Sequence, residues 1–124
     1  MRFRPTISLL LSLWTGAGLA GEQVRLLIQA SPLAGSQYHA LPELLGRMQP
    51  GDALSLVREP ENRYDRRAIR IEWQGIKIGY VPRRENRIIA AALDQGERLQ
   101  ARIAELRNDP DPWRRLRFEV WLEL

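Results

Sequence analysis

Arg58-Glu59-Pro60-Glu61-Asn62-Arg63-Tyr64-Asp65-Arg66-Arg67-Ala68-Ile69-Arg70-Ile71-Glu72-Trp73-Gln74-Gly75-Ile76-Lys77-Ile78-Gly79-Tyr80-Val81-Pro82 is the stretch whose reading decides the fold. From Arg67 to Trp73 the residues alternate, with Ile69, Ile71 and Trp73 facing one way and Arg70 and Glu72 the other. Gln74-Gly75 is a two-residue loop, after which Ile76, Ile78 and Tyr80 resume the alternation up to Pro82. A period of two on both sides of a two-residue, Gly-containing loop predicts a β-hairpin with one buried face. The preceding segment, Glu59 to Asp65, is opened by Pro60 and reads as a loop leading into that hairpin.

Outward from the hairpin the same patterns recur. Val24 to Ala30 reads as a first strand with Val24, Leu26 and Ile28 on one side. A loop containing Pro32 and Gly35 follows, then a short helix from Leu41 to Met48 closed by the Gln49-Pro50-Gly51-Asp52 turn. Ala53 to Arg58 is a strand. Arg84 to Gln95 carries Ile88, Ile89, Ala92 and Leu93 at helical spacing, and Gly96 is placed to end that helix. Leu99 to Leu106 alternates again, Asn108 to Pro112 turns, and a last strand sets Leu116, Phe118, Val120 and Leu122 against Arg117, Glu119, Trp121 and Glu123. Six short strands with two helices predict a mainly β domain, a small, partly open OB-like barrel whose longer helix closes one mouth.

Residues 1–20 have a different character. Arg2 and Arg4 precede a short apolar run from Ile7 to Trp14, and Gly18 and Ala20 stand at −3 and −1 of a cut after Ala20. This is the layout of a secretory signal peptide, and the run is short for a membrane span. The expectation is a leader at 1–20, a single domain at 21–124, and an exported, periplasmic or secreted product; an uncleaved anchor or a misassigned start, with a cytoplasmic product, is the alternative. There is no Cys, which excludes disulfides.

The formal net charge is +4, half of it from Arg2 and Arg4, so net charge says little about a partner. Its distribution says more: residues 58–87 hold nine basic and five acidic side chains, and the rest of the 21–124 region is slightly acidic. All but one of the basic residues are Arg, which suits planar, forked contacts to phosphate. Tyr64, Tyr80, Asn62, Asn86 and Asp65 lie among them. Cations for phosphate, rings for stacking and short polar groups for a hydroxyl are the components of a nucleic-acid site.

The sequence Arg58-Glu59-Pro60-x-Asn62-x-Tyr64-Asp65-x-x-Ala68-Ile69, followed by Gly79-Tyr80-Val81-Pro82-Arg83 and Asn86, resembles the HIRAN domain family. Gly51-Asp52 and Ala34-Gly35-x-x-Tyr38 match it in order and spacing, so the resemblance spans roughly residues 23–123. It implies an OB-like barrel, which in eukaryotic replication-fork remodellers captures the free 3′ end of single-stranded DNA. On that resemblance Tyr38 and Tyr64 would stack on terminal bases, Asp65 would accept the 3′-hydroxyl, Asn62 would orient the last nucleotide and Arg83 would meet a phosphate. Two positions depart from the pattern: Gln37 stands where the remodellers have Arg, and Tyr80 where they have His. Gln37, Tyr38, Asn62, Tyr64, Asp65, Tyr80, Arg83 and Asn86 are therefore the candidate DNA-binding residues.

Plainer readings stand beside these. Tyr64 can pack on the barrel rim, Asp65 and Asn62 can bond their own loop backbone, and Arg84 or Arg87 can pair with Glu85. His39, the only His, reads as a surface residue, and Trp73 and Trp121 read as packing residues. Glu59, Glu61, Asp65 and Glu72 lack the spacing of a nuclease site, and there is no Gly-Lys-Ser/Thr phosphate loop or Ser–His–acid set. The chain thus reads as a binding module for single-stranded DNA ends, with no catalytic residue, cofactor or metal. An exported protein-interaction or envelope module is the alternative, and a hydrolase acting on nucleic acid or acid anhydrides comes after it.

Overall fold

The computed structural model describes residues 24–124. The expected leader at 1–20 and its cut lie outside the described residues. Six strands form one antiparallel sheet: β1 (Arg25–Pro32), β2 (Ala53–Arg58), β3 (Ile69–Trp73), β4 (Ile76–Tyr80), β5 (Leu99–Leu106) and β6 (Leu116–Glu123), in the spatial order β1-β6-β5-β2-β3-β4. The two short helices are α1 (Leu41–Leu44), continued by a 3₁₀ turn at Leu45–Arg47, and α2 (Arg87–Asp94). The mainly β, OB-like expectation holds, and the sheet is open rather than closed.

Strand β2 makes the bend. Ala53 and Leu54 pair with β5, whereas Ser55 to Arg58 pair with β3, so one strand passes from one half of the sheet to the other. The edges then approach each other, and a single bridge joins Ala34, just after β1, to Tyr80 at the end of β4. Each donates its N–H to the other's carbonyl at 2.9 Å. Gly79 makes this approach possible, because a Cβ there would lie 2.6 Å from the Ala34 carbonyl oxygen and 2.8 Å from Leu33.

The hairpin forms where predicted, but the ladder shifts register between Ile71 and Glu72, and Ile76, expected in the buried row, is exposed. Ile69, Ile71, Trp73 and Ile78 are buried, and Gln74 and Gly75 both take positive φ (49° and 80°), the geometry that matches the twist of the flanking strands. With Leu33, Leu41, Ile89, Ile103, Leu116, Phe118 and Val120 they form one apolar core. Each such side chain contributes about 1.5–3 kcal/mol by leaving water. Trp73 is a packing residue, as expected, and its ring N–H donates to Asp52 Oδ2 at 3.1 Å. The Gly51-Asp52 turn therefore satisfies a buried donor as well as redirecting the chain.

Two further expectations need correction. Val24 and Leu26 do not face the core: they are exposed, and a register shift between Leu27 and Gln29 breaks the alternation, leaving Ile28 packed against the core and Ser31 buried. The second helix is not continuous from Arg84. A 3₁₀ turn at Arg83–Glu85 precedes it, and α2 begins at Arg87. Pro82 starts the turn, and Asn86, which separates the two pieces, directs its side chain away from capping. At the other end Gly96, with φ 79°, ends the helix as expected.

Candidate nucleic-acid interface

The segment between β2 and β3 is short, and its own polar groups fold it. Glu59 N–H donates to the Ala68 carbonyl at 2.9 Å and closes the base. Pro60 sits at the second position of a turn in which Asn62 N–H reaches the Glu59 carbonyl at 3.0 Å. Asn62 Oδ1 then accepts the N–H groups of Tyr64 (2.9 Å) and Asp65 (3.2 Å), and its Nδ2 donates to Glu59 Oε1 at 2.9 Å. Asp65 Oδ1 accepts Arg67 N–H at 3.0 Å. The plainer readings of Asn62 and Asp65 are thus part of the answer, because both shape their own loop.

Asp65 has a second partner. Its Oδ2 accepts from Nδ2 of Asn86 at 2.7 Å, and Asn86 is 2% exposed at the start of α2. Asn86 therefore stands behind the site rather than in it, and locks the loop to the helix. A carboxylate offers about four acceptor directions, so Asp65 retains capacity toward the cleft.

Glu59 was not among the expected site residues, yet it is the hub of this end of the sheet. Oε1 accepts Asn62 Nδ2 and the Tyr80 hydroxyl (2.9 Å), and Oε2 accepts Arg70 (2.9 Å). Arg70 also reaches Glu72 at 2.7 Å, and Lys77 donates to the Tyr80 hydroxyl at 2.7 Å. Burial pushes the Glu59 carboxyl up, but the hydrogen bonds from Asn62, Tyr80 and Arg70 and the charge of Lys77 outweigh it and leave it below the usual carboxylate range. His39 packs against Tyr80 with ring centres 5.8 Å apart. Burial and then the Lys77 charge lower its pKa, against an opposing pull from Glu59. The Tyr80 hydroxyl is taken up by Glu59 and Lys77, and Lys77 Nζ also lies 4.5 Å from the Tyr80 ring centre.

Asn62, Tyr64, Asp65, Tyr80 and Arg83, with Ala34, Ala68 and Val81, line one cleft of about 310 Å³. Five of the eight expected residues are brought together there. Gln37 and Tyr38 lie outside that lining, exposed on a 3₁₀ turn (Ser36–Tyr38) that packs beside β4. Tyr38 and Tyr64 are 78% and 79% exposed, so neither plugs the interior.

Arg83 is shared with two further grooves, one toward Arg67 and Arg87 and one toward Trp113. Trp113, 52% exposed on the turn before β6, was not anticipated. Its signal was an aromatic immediately after a Pro-rich turn, where a core residue is not required. Among the described residues no group of three or more His, Cys, Asp or Glu side chains is arranged to hold a metal, and no helix is long and apolar enough to cross a membrane.

A HIRAN-domain profile matches residues 28–124. The chain belongs to the HIRAN domain family. No curated protein matches it by sequence. Among solved structures it is similar to a protein from Lactobacillus plantarum, at 28% identity and a TM-score of 0.69, over 82% of this chain and 98% of that one. It also superposes on the HIRAN domain of human HLTF, at 16% identity and a TM-score of 0.58, over 80% of this chain and 77% of that one. The second likeness is one of fold. HIRAN domains are DNA-binding modules, and the cleft brings together one cation, Arg83, the rings of Tyr64 and Tyr80, and the Asp65 carboxylate.

Proposed function

We propose that this HIRAN domain binds single-stranded DNA at a free 3′ end and performs no chemistry on it. One observation carries the reading: Asp65 lines a cleft with Tyr64, Tyr80 and Arg83 while Arg67 N–H and Asn86 hold its carboxylate from behind. A carboxylate fixed in this way accepts a terminal hydroxyl and repels a terminal phosphate. Tyr64 stacks on the last base, Tyr38 on the next, Asn62 keeps the loop in shape, and Arg83 meets the phosphate between them. The carboxylates near the cleft are already engaged, Glu59 by Arg70, Asn62 and Tyr80, and Asp65 by Asn86, which favours binding over hydrolysis. The leader pattern at residues 1–20 supports an exported domain acting outside the cytoplasm, and N-terminal mass analysis of the cellular product tests that part.

The experiment for the main reading is fluorescence anisotropy with oligonucleotides ending in a 3′-hydroxyl, a 3′-phosphate or a 5′ label, at two salt concentrations. The expected result is a marked preference for the 3′-hydroxyl end that disappears in Asp65→Ala, with affinity falling steeply as salt rises. Equal affinity for the hydroxyl and phosphate ends would remove Asp65 from recognition and the end preference with it.

A further inference from the structure

Two exposed apolar side chains flank the 3₁₀ turn Arg83–Glu85. Ile88, 63% exposed on the first turn of α2, lines the groove on one side, and Trp113, 52% exposed, lines the groove on the other. All three residues of the turn line both grooves, so the turn is a ridge between them. Arg67, Arg83, Arg84 and Arg87 lie on and beside this ridge, and among the described residues none of the four makes an ion pair. Of these six side chains only Arg83 also lines the cleft.

The neighbouring contacts keep this face in shape. Glu85 is the one carboxylate among the arginines, and its Oε1 accepts from the hydroxyl of the fully buried Ser31 at 2.8 Å, which ties it to β1. Gln29 donates to the Glu85 carbonyl at 2.7 Å. On α2 the next residue, Ile89, is completely buried, so Ile88 points away from the core. Trp113 stands on a turn closed twice by Asp111, whose Oδ1 accepts Trp113 N–H and whose carbonyl accepts Arg114 N–H, each at 3.0 Å.

Single exposed apolar side chains are ordinary on a protein surface, but a pair flanking unpaired cations fits a partner with both chemistries. An anionic bilayer has them in layers, phosphates at the surface and acyl chains below. Guanidinium groups are planar, weakly hydrated and fork onto phosphate oxygens. Tryptophan favours the headgroup boundary, where its ring is buried and its N–H stays wet. A nucleic-acid backbone would use the arginines, and a base could stack on Trp113, but neither buries an isoleucine. We propose that this face rests on an anionic bilayer, with the four arginines on lipid phosphates and Ile88 and Trp113 in the boundary beneath them.

The test uses the full chain with vesicles of phosphatidylcholine alone or of equimolar phosphatidylglycerol and phosphatidylcholine. Co-sedimentation with the mixed vesicles should exceed that with phosphatidylcholine and fall as salt rises. Residues 1–20 are common to every variant, so the ratios between variants report the face. Arg84→Gln/Arg87→Gln should weaken binding to the mixed vesicles by about tenfold or more, since each basic residue near such a surface is worth roughly fivefold. Ile88→Ser should weaken it by about threefold to fivefold and leave single-stranded DNA affinity within about twofold. Arg63→Gln/Arg66→Gln removes the same charge beside Pro60 and Glu61, off this face, and should leave vesicle binding within about twofold. Brominated acyl chains should quench a component of the tryptophan emission that is absent from Trp113→Phe. All the substituted side chains are exposed, so the variants should fold, and thermal melts verify it.

Equal losses in the two arginine variants would reduce the effect to the charge of the whole domain, and the proposal would fall. It would fall as well if Ile88→Ser bound vesicles like the wild type, or if no Trp113-dependent quenching appeared. Loss of DNA affinity in Arg84→Gln/Arg87→Gln with vesicle binding unchanged would assign the face to a nucleic-acid backbone instead. End recognition stands or fails separately, because its readout is the 3′-hydroxyl preference and Asp65 is untouched in all of these variants.

Discussion

On the face shared by β1, β6 and β5, Trp121 lies between two arginines, with Arg25 5.8 Å and Arg102 5.3 Å from its ring centre. At the rim of the cleft, Tyr38 and Tyr64 stand in solvent, and Arg63, Arg66, Arg67, Arg83, Arg84 and Arg87 are exposed beside them without an ion pair or a ring contact among the described residues. The ingredients are the same and their use is opposite. Strand register accounts for the first case: Trp121 pairs with Leu27 and Gln100, which makes Arg25 and Arg102 its diagonal neighbours on one face. Such a cation over a ring is worth ~0.5–1 kcal/mol when exposed. Loop geometry accounts for the second, because Tyr64 is carried on a turn whose polar atoms hold one another and leave the ring nothing to fold onto. One face covers its ring with its own cations, and the other leaves its rings and cations exposed.

The severest way to break this contrast is Gly79→Ala. The new methyl would meet the Ala34 carbonyl and Leu33, which belong to the backbone bridge and the core and cannot yield easily. We expect a loss of about 2–3 kcal/mol in stability, read by urea denaturation, together with loss of DNA binding as Tyr80 and Ala34 separate. The Trp121 face, remote from that bridge, should keep its ring environment in near-ultraviolet circular dichroism.

A paired truncation sharpens the contrast. Tyr64→Ala should cost about 1–3 kcal/mol of DNA affinity while moving stability by less than about 0.5 kcal/mol, because its side chain is exposed. Trp121→Ala should do the reverse, losing roughly 1–2 kcal/mol of stability, a fraction of a fully buried Trp, and leaving affinity unchanged. If both variants lost stability and affinity together, the division into two faces would be wrong.

Most of the fold was legible because a period of two survives wherever one face of a strand is buried. The Gln74–Gly75 hairpin and the inward row Leu116, Phe118, Val120 follow directly from it. What was hidden depends on contacts between residues far apart in sequence. Asn86 stands between the 3₁₀ turn and the second helix with its side chain bonded to Asp65, 21 residues earlier, and no local propensity encodes that contact. The alternation in β1 failed at a bulge set by pairing with β6. At the cleft, the family resemblance singled out Tyr64, Asp65 and Arg83, whereas Glu59 read as one acid in a charged loop. Its role emerges only when Arg70 and Tyr80 arrive from the neighbouring strands.

Glu59 also gives the rim a pH dependence. Its folded pKa lies below its unfolded value, so its contribution is present above about 4.3 and is lost as pH falls through the folded value. Glu59→Gln should reduce stability at pH 7 by about 1 kcal/mol through weakened bonds to Arg70 and the loop. Urea midpoints of variant and wild type should then converge as pH falls through the folded value, below which both side chains are neutral. A gap that stayed constant below that value would show that the Glu59 charge does not hold the loop.

The smallest expected effect is on the face where arginines cover Trp121, and it is informative for that reason. Arg102 Nε and Trp121 Nε1 are both buried without an acceptor, so the stack that covers Trp121 carries a desolvation cost along with its attraction. Arg102→Met keeps the apolar stem over the ring, removes the unpaired Nε, and gives up the cation over the ring. Loss of the cation and relief of the buried donor oppose each other, and the net change in stability should stay within about 0.5 kcal/mol of zero. DNA affinity and its salt dependence should be unchanged, although a positive charge has been lost. A fall in affinity comparable with that of a rim arginine would mean that DNA responds to the charge of the whole domain, and the distinction between arginines resting on rings and arginines left free would have no functional content.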